Sequence, residues 1–575
     1  TIRLFQATIT SCGEQCGPSS PDWQFKAKEA LLHLDRVASL YHLSFWIKGA
    51  PIFYSPYFLF SLKARRGTGF LPPEIEVSDR RGFGMKHSFF WAINDQMDAT
   101  IDLNYFSKLG VIPQLEYRYI PTERISGQFN GAYLKDRETK TDFFKVRLDH
   151  KQLFPQDIRG LLKVDVVRGE FNSRVESDID ILSRRYTDSF LILTKSWENS
   201  ILELGIEFLE RVQRIETGDE RFGLLPALTF LRQQQPISST PFYYTLLGSY
   251  TNFYEESEPE RKDVQRVDLM PQLLWPIREV PWLTITSIAG IRETFYSRQR
   301  ENLAMLSREL FELGVTIEGP KFSKVYKGFG EERVKHLIIP RVEYSYITDF
   351  GKEVRGRLLF LDQIDQIGAS HNVTYSLTNR FLARSRPDGV RIDDLLKVSV
   401  SQRFNIEKDP ITEFAEPSQG RFSTSPTRVP FEVFSRGRLS PLVFELLANP
   451  SSSFALRGSA AYELEDRFVG VNLGITIHPS PIWQFSLERN FLDERDIGRE
   501  KGDFFLGRMS LNIDERWVLE YEERYNVQDQ QFAEHNVRLR HKSCCFGFRF
   551  NLQHRLGETR FGFMVTLEGL GSVGR

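Results

Sequence analysis

The chain has 575 residues, of which 41% are hydrophobic and 26% are charged, with 75 basic and 76 acidic side chains. The net charge of −1 excludes a protein that binds nucleic acid through an excess of positive charge. No stretch approaches the roughly 18 consecutive apolar residues of a membrane helix, which excludes a helical membrane protein.

The first 48 residues predict three β-strands, at Ile2–Thr10, Trp23–Leu34 and Val37–Lys48. Some of these runs have nearly continuous apolar faces, which are typical of strands buried in a small domain. We therefore expect residues 1–48 to form the last strands of a β-domain that begins upstream of this sequence.

From residue 49 onward, apolar and polar residues alternate in one run after another. In one run, Ile101, Leu103 and Tyr105 alternate with Asp102 and Asn104. Such alternation is typical of strands with one apolar and one polar face. About 26 runs share residues 49–575, which leaves room in each for a connection and the roughly 9–11 residues of a membrane-spanning strand. The sequence therefore predicts an all-β fold, a large transmembrane antiparallel β-barrel of about 26 strands.

A soluble protein made of several β-sandwich domains is the alternative fold. A sandwich buries its apolar faces in a core, whereas a wide barrel turns them to lipid and keeps its polar faces in a wet lumen. Sandwich domains of about 100 residues would be separated by linkers, and no regularly spaced linkers interrupt residues 50–570. One barrel is the simpler interpretation, and a lumen this wide requires a plug.

Four cysteines stand in two pairs, Cys12 with Cys16 and Cys544 with Cys545. Adjacent cysteines rarely bind one tetrahedral ion, so no metal site is predicted. They also rarely bond to each other. An even number of strands puts Cys544 and Cys545 on the same side of the membrane as the N-terminal residues. We therefore expect disulfides between the two ends of the chain, with the pairing open.

Prolines mark the strands that begin the predicted barrel. Pro51 and Pro56 lie in the predicted first strand, and Pro72 opens the second. Proline cannot donate to a strand ladder and is confined to edges, ends and bulges. Pro51 and Pro72 also fit a simple strand start and turn. Because the first strand of a barrel pairs with the last, missing donors would weaken that junction.

Motifs in a fixed order resemble the lipopolysaccharide-assembly outer-membrane family LptD, also called Imp or OstA. The family shows VPVFYxPY, RxSGFL, YYW, D-A-T and EYRY segments in this order, and a cysteine pair near its C-terminus. The matching segments here are GAPIFYSPYFLFSLKARRGTGFL at Gly49–Leu71, FFW at Phe89–Trp91, NDQMDAT at Asn94–Thr100, EYRY at Glu116–Tyr119, and Cys544–Cys545. Ser11 and Cys12 ahead of Trp23 are similar to the element that ends the family's periplasmic domain.

The resemblance implies a translocon that inserts lipopolysaccharide (LPS) into the outer leaflet of a Gram-negative outer membrane. Residues 1–48 would then be the end of a periplasmic β-jelly-roll, and residues 49–575 the barrel. It implies three partners: LPS, an LptE-like lipoprotein that plugs the lumen, and an LptA-like periplasmic bridge reached through the missing upstream domain. It implies no catalysis and no cofactor. The alternative function is a passive porin or receptor-type channel.

The resemblance also implies roles for single residues. It makes the junction of the first and last strands a lateral gate, with candidate residues Pro51, Pro56, Tyr57, Pro72, Phe561 and Phe563. It pairs Cys12 with Cys545, and Cys544 with a cysteine of the absent upstream segment, for which Cys16 is a substitute.

Arg65 and Arg66 flank the first predicted hairpin tip. Guanidinium groups suit the anionic sugar-phosphates of LPS. The alternative for this pair is an ordinary solvated turn.

Overall fold

A computed structural model describes most of the chain. The described residues are 1–10, 12, 21–33, 37–61, 67–71, 73–137, 140–169, 171–175, 186–212, 220–257, 260–300, 303–327, 333–384, 392–407, 438–464, 467–493, 502–543, 545–555 and 557–567.

Strands make up nearly all of the regular structure. They are β1 Ile2–Ile9, β2 Trp23–His33, β3 Val37–Ile47, β4 Ala50–Ser61, β5 Gly69–Phe70, β6 Glu74–Ser78, β7 Gly82–Asn94, β8 Met97–Phe106, β9 Gly110–Thr122, β10 Ile125–Lys135, β11 Asp142–Leu153, β12 Ile158–Arg168, β13 Tyr186–Trp197, β14 Ser200–Arg211, β15 Glu220–Pro236, β16 Tyr243–Ser257, β17 Glu260–Ile277, β18 Thr284–Tyr296, β19 Leu306–Glu318, β20 Phe322–Lys327, β21 Arg333–Ile347, β22 Ser370–Arg384, β23 Ile392–Asn405, β24 Leu442–Ser451, β25 Phe454–Glu463, β26 Arg467–Ser480, β27 Trp483–Leu492, β28 Gly502–Asn512, β29 Trp517–Asn526, β30 Gln531–Lys542, β31 Phe546–Arg555 and β32 Glu558–Leu567.

Helices are few and short. Those in the described ranges are α1 Phe171–Val175, α2 Lys352–Arg357 and a 3₁₀ turn at Pro155–Asp157. Within the described ranges, no helix has the length and apolar character to cross a membrane.

Strands β1 to β4 form a separate antiparallel sheet in the order β1-β2-β3-β4. Its first three strands are those predicted for residues 1–48. The sheet continues beyond them, because β4 pairs with β3 from Ala50 opposite Ile47 to Ser61 opposite Val37. The predicted domain boundary between residues 48 and 49 therefore falls in the β3–β4 turn, inside what we call the N-terminal sheet.

The prediction that β4 is the first strand of the barrel was wrong. Its apolar face packs inside the N-terminal sheet, where Phe58 lies 5.6 Å from Phe25 between ring centroids. Pro51 and Pro56 still obey the rule for prolines, because β4 is an edge strand of this sheet. Alternation indicates a strand with two different faces, but it does not say which sheet the strand joins.

The remaining strands close into an antiparallel barrel, which confirms the predicted fold class. The 28 strands β5–β32 fill 26 positions, because two positions are each shared by two segments. β5 and β6 both pair with β7, and β19 and β20 both pair with β21. The first strand position of the barrel is therefore β5 and β6 together, and the last is β32.

Apolar side chains point outward from the barrel wall, as the alternation predicts. On β8, Leu103 is 50% exposed on the outside, whereas its neighbour Asp102 is 7% exposed and faces Lys86 on the inside. Val565 on β32 is an exception: it shares the outward face with exposed Phe561 and Phe563 but is itself buried. The N-terminal sheet covers this side chain.

The two ends of the barrel differ. The N-terminal sheet lies at the end where β5 begins and β32 finishes, which we call the sheet end. At the opposite far end, the segment after β21 folds back onto the wall, where Asp365 accepts hydrogen bonds from Arg266 at 2.9 Å and Tyr296 at 2.6 Å. The carbonyl of Ile364 accepts another from Arg308 at 2.9 Å.

The two faces of β9 test the orientation of the wall. Leu115→Arg would place a charge in lipid near the middle of the strand and should cost about 2–4 kcal/mol of folding free energy in lipid vesicles. Gln114→Arg, one residue away on the inner face, should cost much less. Equal costs for the two variants would contradict the assigned faces.

The seam between the first and last barrel strands

The last barrel strand is paired unequally with its two neighbours. On one side, β32 forms ten registered pairs with β31, from Arg555–Glu558 to Phe546–Leu567. On the other side, only five residues of β32 are registered with β6, from Arg560 opposite Ser78 to Met564 opposite Glu74. We call this second junction the seam. Its registered part spans the middle of β32 and leaves residues 565–567, at the sheet end, without a registered partner on β6.

The seam pairing stops where proline enters the first strand. Pro73 directly precedes β6 and has no N–H to donate. Beyond it toward the sheet end, β5 is registered with β7, with Phe70 opposite Phe89. Unpaired backbone groups are costly in lipid. The backbone of the seam near the sheet end therefore needs another part of the protein to shield it from lipid.

The N-terminal sheet supplies that cover. One apolar core contains Trp23, Phe25 and Phe58 of the sheet and also Phe546 and Val565 of the last two barrel strands. Val565 is 6% exposed and Trp23 is fully buried. The core of the sheet therefore continues without interruption onto the outward face of β31 and β32.

The same core reaches the strand on the other side of the seam. The ring of Phe70 on β5 lies 5.5 Å from the ring of Phe58 and 4.9 Å from the ring of His87 on β7. Phe53 of β4 lies 6.4 Å from His87. Apolar surface from one sheet thus contacts both strands that border the seam.

A disulfide and hydrogen bonds tie the N-terminal sheet to this place. Cys12 is bonded to Cys545, 533 residues away, with 5.1 Å between their Cα atoms. The indole N–H of Trp23 donates to the carbonyl of Cys545 at 2.8 Å, and the Ser543 hydroxyl donates to Asp22 at 3.0 Å. These contacts lie in the turn before β31 and hold the core against the seam.

At the far end, polar contacts close the seam. The backbone N–H of Asp79 donates to the Thr559 carbonyl at 3.1 Å, and the N–H of Thr559 donates to the Asp79 carboxylate at 2.9 Å. The Ser78 hydroxyl donates to Glu558 at 2.6 Å. Arg80 forms an ion pair with Glu558 at 3.1 Å. Each of these contacts joins β6, or the turn that follows it, to β32.

A buried arginine extends this far-end closure to the next loop. Glu76 binds both Arg560 across the seam and Arg81 in the turn after β6. Arg81 also donates to the carbonyl of Val175, at the end of α1, at 2.7 Å. Burial lowers the pKa of Arg81 to about 10, so its side chain stays charged at neutral pH. The seam is therefore coupled to the loop that carries α1.

The residues proposed from the sequence fall into three groups. Phe561 and Phe563 are on the seam, opposite Val77 and Ile75. Pro51, Pro56 and Tyr57 are not on it, because their strand β4 belongs to the N-terminal sheet. Tyr57 there lies opposite Tyr41. The residues outside the described part of the chain are Cys16, Arg65, Arg66, Pro72 and Cys544.

Sequence reasoning missed the residues that close the far end. Arg81 and Glu76 resemble the many other charged residues of the alternating runs, and only the register brings Arg560 to them. It also missed the cover over Val565. The alternation around Phe546 and Phe548 is that of a lipid-facing strand, so the sequence carries no separate signal for the cover.

The inner wall near the seam is strongly polar. A cavity of about 530 Å³ lies against β26 to β30. Arg508 crosses it, with ion pairs to Glu488 at 3.2 Å and to Glu522 at 3.1 Å. In the described part of the chain, no three His, Cys, Asp or Glu side chains are grouped to hold a metal ion.

Comparison with known proteins gives consistent matches. A family model described as "LPS transport system D" matches residues 170–503, and another described as "LptD protein" matches residues 41–256.

Several curated relatives are named LPS-assembly protein LptD. The relative from Actinobacillus pleuropneumoniae is 38% identical over 73% of this chain and 57% of its own length. The relative from Vibrio vulnificus strain YJ016 is 22% identical over 97% of this chain and 73% of its own length. That from Alkalilimnicola ehrlichii is 27% identical over 64% of this chain and 51% of its own length. The chain thus spans between half and three quarters of these relatives.

Among solved structures, the siderophore receptor PirA from Pseudomonas aeruginosa aligns with 92% of this chain and 86% of its own. The sequence identity is 7% and the TM-score 0.34.

The long-range disulfide can be tested by electrophoresis. Cys12→Ser and Cys545→Ser should each give, without reductant, the mobility of the reduced parent protein, because each removes the bond that closes a very long loop. In the chain-entropy model such a bond stabilises the fold by up to about 5 kcal/mol. Unchanged mobility of both variants relative to the oxidised parent would show that this bond does not form.

Proposed function

The chain belongs to the LptD family, and on that premise we propose that it is an LPS translocon that delivers LPS sideways through the seam into the outer leaflet. Family membership and the 26-strand barrel make it an outer-membrane protein of a Gram-negative bacterium with a role in LPS assembly. The sheet end is the periplasmic end in this proposal, and the far end is extracellular.

One observation carries the proposal. The seam has five registered pairs, half the number on the other side of β32, and beyond them at the sheet end Val565 is buried in the core of the N-terminal sheet. Each backbone hydrogen bond contributes about 0.5–1.5 kcal/mol net. Separation of β6 from β32 therefore breaks fewer backbone hydrogen bonds than separation of β31 from β32, and it begins at the periplasmic end.

The acyl chains of LPS need an apolar route from the periplasm to the membrane. The shared core provides one, from Trp23 and Phe25 inside the N-terminal sheet to Phe70 on one side of the seam and Val565 on the other. From Val565 the same face of β32 continues to the exposed rings of Phe563 and Phe561. An acyl chain that enters between the two sides stays in contact with apolar surface and leaves into lipid.

The saccharide of LPS needs a wet route, and the inner wall provides it. The ion pairs of Arg508 with Glu488 and Glu522 present both charges to the lumen, three to five strands from the last strand. Such a wall suits sugar hydroxyls and phosphates. It also suits the polar surface of an LptE-like lipoprotein, which we infer fills the lumen because an open barrel of this size would leak.

We also infer that LPS reaches the N-terminal sheet from an LptA-like periplasmic bridge. An extended β-structure can grow by pairing along a free sheet edge, and β1 is an edge strand of the N-terminal sheet. The disulfide from Cys12 to Cys545 would then keep the delivery route aligned with the seam. A passive porin would not need a disulfide between its barrel and an N-terminal sheet, so the porin alternative does not explain this bond.

The register makes a sharp test of the gate possible. Ile75 and Phe563 are directly opposite across the seam, so Ile75→Cys with Phe563→Cys should form a disulfide under mild oxidation. The bond should stop appearance of new LPS at the cell surface, because β6 can no longer leave β32. Reductant should restore export. Surface LPS would be measured by pulse labelling.

A matched control lies one strand away. Leu552 and Phe561 are opposite each other on β31 and β32, a junction that the proposal keeps closed. Leu552→Cys with Phe561→Cys should crosslink equally well and leave export unchanged. Normal export with the 75–563 bond formed, or an equal block by the control bond, would rule out passage through the seam.

A further inference from the structure

A row of polar side chains crosses the outward face of the barrel from the seam. In register, Thr559 of β32 lies opposite His554 of β31, His554 opposite His535 of β30, and His535 opposite Glu523 of β29. His554 and Thr559 are 2.9 Å apart between Nδ1 and Oγ1, and the two imidazole rings are 6.4 Å apart. The outward face otherwise carries mainly apolar side chains that contact lipid.

Glu523 is one of the few carboxylates on this face, together with Glu293 of β18 and Glu309 of β19. Charged residues on the lipid side of a barrel are destabilising at depth, so a carboxylate there needs a reason. Its carboxylate accepts a hydrogen bond from the Tyr521 hydroxyl at 2.5 Å, and that hydroxyl is 3.3 Å from Nδ1 of His535. Tyr521 thus joins Glu523 to the histidine end of the row.

The row ends at a groove in the lipid-facing wall. Gly507 of β28 lies opposite both Glu523 and Leu487, and a Cβ atom at Gly507 would meet no atom within 4 Å. A cavity of about 490 Å³ opens there. Its apolar walls include Phe485, Leu487, Phe505, Met509 and Tyr525.

The row also descends into the membrane. Counted from the extracellular end, Thr559 and His554 are each the second residue of their strands. Glu523 is the fourth of β29, His535 the fifth of β30 and Gly507 the sixth of β28. Strands rise about 3.3 Å per residue. Thr559 and His554 therefore lie at the rim near the seam, Glu523 and His535 lie deeper, and the apolar groove is deepest.

This order matches the order of groups in one class of lipid. An ionised carboxylate only accepts hydrogen bonds, so its ligand must offer a donor where the acyl chains begin. Glycerophospholipids have ester linkages there, which only accept. LPS has amide-linked, hydroxylated acyl chains on a phosphorylated amino sugar, and these offer N–H and O–H donors.

We propose that the groove at Gly507 is a binding site for an acyl chain of LPS, with an amide N–H or hydroxyl of the lipid donating to Glu523. His554 and Thr559 then meet the sugar headgroup at the rim. Strands lie about 4.8 Å apart, so Glu523 is about 15 Å from β32. The site would receive LPS on the outer wall three strands from the seam. This inference rests on the proposed function, from which LPS is taken as the exported lipid.

The site can be tested by the lipids that the full chain retains. The protein would be placed in nanodiscs of phosphatidylethanolamine and LPS, washed with mild detergent, and its bound lipids quantified by mass spectrometry. A hydrogen bond to a charged group should enrich LPS over phosphatidylethanolamine about tenfold relative to the bulk mixture. Glu523→Leu and Gly507→Leu should each abolish the enrichment, the first by removing the acceptor and the second by filling the groove.

Two features keep this test decisive. Glu523→Leu places an apolar side chain on the lipid face and should not impair folding, which heat-modifiable mobility on gels would check. Glu309→Leu, which removes a carboxylate from the outward face of β19, should leave the enrichment intact. Absence of enrichment in the parent, enrichment that survives both groove variants, or an equal loss in Glu309→Leu would overturn the proposal. No export occurs in this assay, so its failure is distinct from failure of the seam experiment.

Discussion

Every backbone N–H and C=O of a membrane strand must be bonded or covered, because lipid offers no partner. A closed barrel meets this requirement with a neighbour on both sides of each strand. In this chain the requirement is met differently at β32. Five of its residues pair with β6, Thr559 bonds to Asp79 at the far end, and the part at the sheet end lies under the N-terminal sheet. The fold is therefore complete only with its separate N-terminal sheet in place.

The disulfide and the far-end contacts follow from this arrangement. The bond from Cys12 to Cys545 keeps the cover in position, and the contacts of Glu76 with Arg560 and Arg81 close the opposite end. The seam is thus covered at one end and closed by ion pairs at the other. The hydrogen bond from Arg81 to the carbonyl of Val175 joins the closed end to the loop that carries α1.

Much of this could be predicted from the sequence, because alternation is a local property. The runs around Leu103 fix the strand faces, and their number fixes the size of the barrel. The assignment of β4 could not be predicted, since Phe53 and Phe58 pack equally well on a barrel or on the N-terminal sheet. The far-end contacts could not be predicted either. Glu76 and Arg560 are 484 residues apart in the sequence, and only the register of the closed barrel brings them together.

The central claim is that the seam is the weakest junction of β32, and hydrogen exchange tests it directly. Amides of Ile75 and Val77 that bond across the seam should exchange faster than amides of Asn551 and Arg549, which bond to β32 from its other side. The contrast should grow when Arg560→Gln removes a far-end contact. Equal protection of both junctions, before and after that substitution, would contradict a gate at the seam.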